Sequence, residues 1–165
     1  MKIQVAGLSE GIHQYRFCVG SAELEPAGQF TGDILVHVAV EKVGTQLHLR
    51  ATVEATGRFQ CDRCVSSFER PLRPSYQMHY MADNGEPRQY DPAEVQVLSP
   101  GYAVIDIADD VRQTLILSVP LKLLCREDCA GLCPGCAKNL NEAACTCTVN
   151  TADGRWDALR RLQSN

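Results

Sequence analysis

Apolar side chains recur at every second position over residues 34–40, where Ile34, Val36, Val38 and Val40 alternate with Leu35, His37 and Ala39. The same period returns over 47–55, with Leu47, Leu49, Ala51, Val53 and Ala55 set against His48, Arg50, Thr52 and Glu54. A period of two marks a strand with one buried and one solvated face. These segments predict two strands, with Gly44 marking the hairpin between them. A third run puts Phe68, Leu72, Tyr76, Met78 and Tyr80 on one parity. Pro71 and Pro74 interrupt it, and because proline cannot donate to a ladder its first half predicts an edge or bulged strand. Residues 2–8 and 14–19 predict further strands.

Residues 82–92 combine Gly, Pro and acidic side chains without an apolar period and predict a solvated loop. Two short apolar pieces follow, 95–98 and 102–105. Asp106 then reads as the N-cap of a helix near 106–118 that buries Ile107, Ala108, Val111, Leu115 and Val119. Asp109 and Asp110 suit the positive end of its dipole, and Pro120 ends it. Trp156, Leu159 and Leu162 predict a short amphipathic helix at the C-terminus. The pattern as a whole predicts an α+β chain: an antiparallel β-meander, one central helix after the sheet, and an irregular Cys-rich C-terminal segment. The division expected is a β-rich core over 1–122 and a Cys-rich segment over 123–165 packed on it.

Composition narrows the class. Of 165 residues, 45% are hydrophobic and 22% charged, a globular balance that excludes wholesale disorder and fibrous arrays. The 16 Lys and Arg against 20 Asp and Glu leave a net charge of −4, which argues against a basic arm binding nucleic acid by charge alone. No stretch approaches the roughly 18 apolar residues of a membrane helix. No apolar run near the first residues is long enough for a signal-peptide core. The expectation is a soluble cytoplasmic protein in a compartment that keeps thiols reduced.

In that setting clustered cysteine points to metal. Cys61-Asp62-Arg63-Cys64 lies between the second and third strands, where a C-x2-C at a hairpin tip can turn both thiolates toward one ion. Cys125, Cys129, Cys133, Cys136, Cys145 and Cys147 follow within 23 residues, and Cys133-Pro134-Gly135-Cys136 forms a second knuckle. Structural zinc takes four soft ligands in a closed tetrahedron, so eight thiols supply two such sites, and the Cys-rich segment is expected to bind one or two Zn2+ ions. An iron–sulfur cluster also uses four cysteines, and a thioredoxin-type motif uses C-x2-C, although it wants a helix N-terminus. One pairing joins Cys61, Cys64, Cys125 and Cys129, then Cys133, Cys136, Cys145 and Cys147. The rival joins Cys61 and Cys64 to Cys133 and Cys136. Cys18 is expected to be a small buried hydrophobe, and His13, His37, His48 and His79 read as strand positions rather than ligands.

Around the first knuckle Arg50, Arg58, Arg63, Arg70 and Arg73 outnumber the acids Glu54, Asp62 and Glu69. Arginine favours bidentate phosphate contact and stacking, so these five are candidates for an RNA or partner surface. The competing reading is a solvated, self-paired face.

Cys61-x2-Cys64 with Phe68, the helix ending in Leu117-Ser118-Val119-Pro120, and the string Asp128-Cys129-Ala130-Gly131-Leu132-Cys133-Pro134-Gly135-Cys136-Ala137-Lys138-Asn139-Leu140-Asn141 together resemble the YceD family. Its members are bacterial proteins with plastid relatives, described as large ribosomal RNA subunit accumulation proteins. The resemblance runs from about residue 34 to the C-terminus. Two positions depart from the family pattern: Ala137 stands where a glycine follows the second knuckle, and Gly154 where a proline precedes Arg155-Trp156. The resemblance implies a non-enzymatic role in making or maintaining 23S rRNA during large-subunit assembly. Partners would be 23S rRNA or its precursor, ribosomal proteins or assembly factors, with no membrane and no small-molecule substrate. The alternative is a protein–protein adaptor without RNA contact, acting through a sheet edge or the 82–92 loop. No Ser/His/Asp set, carboxylate cluster or phosphate-cradling glycine loop points to an enzyme.

Overall fold

The structure is a computed structural model, and it describes residues 1–24, 28–82, 91, 94–99, 101 and 103–147. The chain divides into two compact units. The first comprises residues 1–59 and 68–121, the second residues 60–67 and 122–165. Residues 60–67 therefore cluster with the Cys-rich segment, although they are reached from within the sheet.

The first unit is built on the alternation that the sequence shows. Its strands are β1 (Lys2–Gln4), β2 (Gly11–Gly20), β3 (Phe30–Val43), β4 (Gln46–Gln60), β5 (Ser67–Leu72), β6 (Ser75–Ala82), β7 (Val95–Leu98) and β8 (Val104–Asp106), with a one-turn helix α1 (Ser21–Leu24) and a longer helix α2 (Ala108–Leu117). Six strands form one sheet in the order β2-β3-β4-β6-β7, with β5 also pairing with β4. β2 to β4 and β6 run antiparallel as a meander predicts, while β7 joins β6 in parallel. β1 and β8 pair separately, Ile3 opposite Ile105.

β4 is long enough to be partnered twice on one edge. Its first half pairs with β6, Leu49 opposite Met78, and β5 supplies a further partner. The break between β5 and β6 falls at residues 73–74, two residues after Pro71, which lies within β5, and the Pro74 carbonyl still accepts from the Val53 amide at 2.9 Å. Gly44, at φ +58°, closes the β3–β4 hairpin in the left-handed region that glycine enters without steric penalty.

One face of the sheet is the core. Val36, Val40, Leu49, Val53 and Tyr80 are fully buried, as are Ile107, Val111 and Leu115 of the α2 region. Asp106 is the last residue of β8 rather than an N-cap, because its backbone pairs with Lys2. The helix starts two residues later, and Ile107 is its N-cap. The Asp106 side chain still serves the helix, accepting from the Ala108 amide at 3.1 Å and from the Met1 ammonium at 2.9 Å. Cys18 is exposed, not buried: it pairs with Leu35 on the solvated parity of β2 and β3. Among the described residues no helix is long and apolar enough to cross a membrane. The expected helix around Trp156, and most of the 82–92 loop, lie outside the described residues.

Leu49 sits at 0% exposure in the middle of β4. Leu49→Ala is expected to cost about 2–5 kcal/mol in urea unfolding of the first unit. Leu35→Ala, on the solvated face, is expected to stay within about 0.5 kcal/mol.

Candidate metal centres

The two knuckles repeat one backbone design. At the first, the Cys61 amide donates to the Ser66 carbonyl at 2.9 Å and the Val65 amide to the Cys61 carbonyl at 2.9 Å. At the second, the Cys133 amide donates to the Lys138 carbonyl at 2.8 Å and the Ala137 amide to the Cys133 carbonyl at 2.8 Å. In both, the residue after the second cysteine is left-handed: Val65 at φ +61° and Ala137 at φ +58°. Such a residue costs on the order of 1–2 kcal/mol when it carries a Cβ, more when β-branched. The Gly-to-Ala departure at 137 thus falls on the one position of that turn where glycine has a conformational advantage. Strands β4 and β5 frame the first knuckle, and an isolated bridge between Leu132 and Asn139 frames the second.

Each knuckle gathers two more thiols. Sγ atoms of Cys61, Cys64, Cys125 and Cys129 all lie within 4.8 Å of one another, as do those of Cys133, Cys136, Cys145 and Cys147. The eight cysteines thus fall into two groups of four, and the grouping that would join both knuckles is not formed. Individual separations are 3.8 Å for Cys61–Cys129, 3.7 Å for Cys64–Cys125, 3.5 Å for Cys136–Cys145 and 3.4 Å for Cys133–Cys145. A tetrahedron with sulfurs about 2.3 Å from its centre has edges of about 3.8 Å, so either quartet could hold one metal ion. All nine cysteines are free thiols.

The quartets differ in exposure. Cys61, Cys64 and Cys129 are buried, whereas Cys136 and Cys147 are exposed. Within the second unit the first quartet is held by a lattice of hydrogen bonds that the sequence does not announce. Asp62 clamps Leu123 from both directions: its amide donates to the Leu123 carbonyl at 2.8 Å and its Oδ2 accepts from the Leu123 amide at 2.6 Å. Arg63 Nη1 donates to the Cys129 carbonyl at 2.8 Å, and the Arg63 carbonyl accepts from the Leu132 amide at 3.1 Å. Gly131, at φ +76°, passes so close that a Cβ would come within 3.1 Å of the Arg63 oxygen. Asn141 is the hub. Its Nδ2 donates to Cys129 Sγ at 3.3 Å and to Asn139 Oδ1 at 2.7 Å, while its Oδ1 accepts from the Ala130 amide at 2.8 Å and from Arg126 at 2.7 Å.

Electrostatics divides the thiols of each quartet. Burial pushes the Cys61 thiol up, but amides of Cys125, Cys64 and Arg63 outweigh it and bring the group down to about 6. The Ser66 hydroxyl and amide hold Cys64 below its ordinary value. The amides of Cys136 and Gly135 bring Cys133 down to about 7. Opposite them, burial and the neighbouring thiols push Cys125 up to about 12, and the Cys145 and Cys136 side chains push Cys147 up to about 12. Amide donors aimed at the knuckle sulfurs favour thiolate there. The crowding of the remaining sulfurs resists further ionisation until a cation compensates it.

The five arginines do not share one environment. Arg58 pairs with Glu69 at 3.0 Å and Arg73 with Glu54 at 3.2 Å. Arg63 is spent on the backbone of its own unit. Arg70 lies over the Phe68 ring, 5.5 Å from its centre. Arg50 projects from the solvated face of β4. The residues that sequence reasoning missed are Asn139 and Asn141, present in the motif but without a role. Their signal was their place three and five residues after Cys136.

A sequence model of the family described as "Large ribosomal RNA subunit accumulation protein YceD" matches residues 49–163, which span both knuckles and all eight clustered cysteines. No curated protein and no solved structure match the chain.

The reduced protein is expected to take up two equivalents of a thiophilic divalent ion, read by native mass spectrometry, with Cys64→Ser and Cys136→Ser each retaining one. Asn141→Ala removes the amide donor to Cys129, and loss of such a partner typically weakens metal binding about 10–100-fold. The weakening is expected at the first quartet alone; equal effects on both would show that Asn141 acts on folding rather than on the ligand.

Proposed function

The chain belongs to the YceD family, and on that footing we propose that it is a non-enzymatic, zinc-stabilised cytoplasmic factor that supports accumulation of 23S rRNA during large-subunit assembly. One observation carries the zinc reading. Among the described residues of the second unit, the buried hydrophobic side chains are Cys61, Cys64, Cys129 and Cys133 and no others. Among these residues the interior is sulfur, with no aliphatic core to fold on. A structural zinc supplies on the order of 10–16 kcal/mol of apparent binding energy in such cases.

The choice of zinc over an iron–sulfur cluster rests on spacing. Sulfurs within 4.8 Å of one another leave room for a single ion, whereas a multi-iron core must fit several metals and sulfides between its cysteines. Four thiolates also close the coordination sphere, leaving no open position for substrate, which suits a structural rather than a catalytic site. The family description supplies the biological setting, and the partners consistent with it are 23S rRNA or its precursor, ribosomal proteins or assembly factors.

Chelation of the purified protein is expected to release zinc and to accelerate hydrogen exchange at the amides of Cys61, Val65, Cys133 and Ala137, while the β3–β4 amides stay protected. Unchanged exchange after complete metal removal would overturn the zinc reading. In cells, replacing the gene by a Cys64→Ser, Cys136→Ser double variant is expected to lower 23S relative to 16S rRNA. Unaltered rRNA in cells lacking the protein altogether would overturn the role in rRNA accumulation.

A further inference from the structure

The solvated face of the sheet carries a feature that neither the metal centres nor the family description uses. Register places its residues in rows across the strands. Arg16 of β2 lies opposite His37 of β3, which lies opposite Thr52 of β4; Gln14 lies opposite Ala39, which lies opposite Arg50. Ala39 is the shortest side chain among them and sits between the two arginines. The result is a depression of about 280 Å³ lined by Gln14, Arg16, His37, Arg50 and Thr52 side by side with Ala39.

The charges there are uncompensated. Arg58 and Arg73 are neutralised by Glu69 and Glu54, but Arg16 and Arg50 form no ion pair or hydrogen bond among the described residues. Their neighbours along and across the strands are Gln14, Cys18, His37, His48, Ala39, Thr52 and Gln77, with no acid. The acids flanking the face are Glu41, opposite His48, Glu54, already paired to Arg73, and Glu94, which lines a separate hollow with Gln77 and His79. Two strand spacings and a two-residue offset separate the Arg16 and Arg50 Cα atoms by roughly 12 Å. Guanidinium groups on such stems can close on one anion from two sides. In a chain of net charge −4, an acid-free patch with two unpaired arginines, a histidine and neutral hydrogen-bonding groups has the chemistry of a phosphodiester seat.

We infer that this depression binds a backbone phosphate of RNA, so that the solvated sheet face, rather than the knuckle, is the RNA contact surface. The inference rests on the rRNA role proposed above and names the surface through which that role is exercised. It replaces four of the five arginines suggested by proximity in sequence and pairs Arg50 with Arg16, two strands away.

The test uses the full-length, metal-loaded protein and a fluorescein-labelled 20-nucleotide single-stranded RNA, titrated by anisotropy over a series of salt concentrations. Arg16→Ala with Arg50→Ala is expected to weaken binding at least about tenfold and to flatten the plot of log affinity against log salt by roughly 0.7, the share of one neutralised phosphate on a single strand. Arg58→Ala with Arg73→Ala, which removes two exposed charges already neutralised by acids, is expected to stay within twofold. Both arginines of the depression are exposed, and unchanged circular dichroism and melting verify that the variants fold. Equal weakening by the two double variants would mean that net charge alone governs binding, and would overturn the site. So would wild-type affinity in the Arg16, Arg50 variant. Failure of the wild-type protein to bind the RNA overturns the inference while leaving the rRNA role standing if 23S rRNA still falls in cells lacking the protein.

Discussion

Eight thiols held in two groups of four, with sulfurs as close as 3.4–3.8 Å, are the constraint around which the described residues of the second unit are arranged. Four thiolates at that spacing would repel one another, and in the first quartet the burial of Cys61, Cys64 and Cys129 withholds water from them. A single cation at the centre of either quartet would turn that repulsion into attraction, in a unit whose described residues bury no aliphatic side chain. The surrounding backbone is arranged for that charge: amides of Cys64, Arg63, Gly135 and Cys136 point at the knuckle sulfurs and hold them ready to ionise.

The rest of the second unit follows from keeping those sulfurs in place. Two knuckles with the same pair of backbone hydrogen bonds and the same left-handed residue after the second cysteine solve one problem twice. The first is buried and reinforced by Asp62, Arg63, Asn139 and Asn141. The second is more open, with Cys136 and Cys147 exposed. The polar residues around the first quartet satisfy backbone groups that an irregular segment would otherwise leave unpaired, and each therefore has a structural partner before any binding partner is considered. Arg63 shows the consequence. A basic residue inside a C-x2-C suggests phosphate, yet its guanidinium holds the Cys129 carbonyl.

The first unit rests on a different principle. β4 buries one parity completely from Leu47 to Phe59 and β3 buries Ile34, Val36, Val38 and Val40, and the other parity is free to vary as long as it remains soluble. That freedom is what allows Arg16, His37 and Arg50 to converge over Ala39 without cost to the core. The two units differ in what they bury: thiols among the described residues of one, aliphatic and aromatic side chains in the other.

Much of this was legible in the residues alone. The period of two over 34–40 and 47–55 determined which side chains of β3 and β4 are buried, because a strand has only two faces. Pro71 and Pro74 predicted an edge or bulged first half of one run, and the structure divides that run into β5, which contains Pro71, and β6, with the break at residues 73–74. The spacing of the cysteines limited the thiol quartets to a few groupings, and the left-handed residue at 137 was foreseeable from the glycine it replaces. Local chemistry of this kind is written in neighbours along the chain. Tertiary structure alone decided the rest. Asp106 ends a strand because Lys2, over a hundred residues away, pairs with it; Cys18 faces solvent because the register of β2 against β3 sets its parity; Asn141 reaches Cys129 because the chain folds back between them. Arg16 stands near Arg50 only because β3 lies between their strands. Each of these depends on a partner distant in sequence, and pairing across such distances is fixed by the packing of the whole unit.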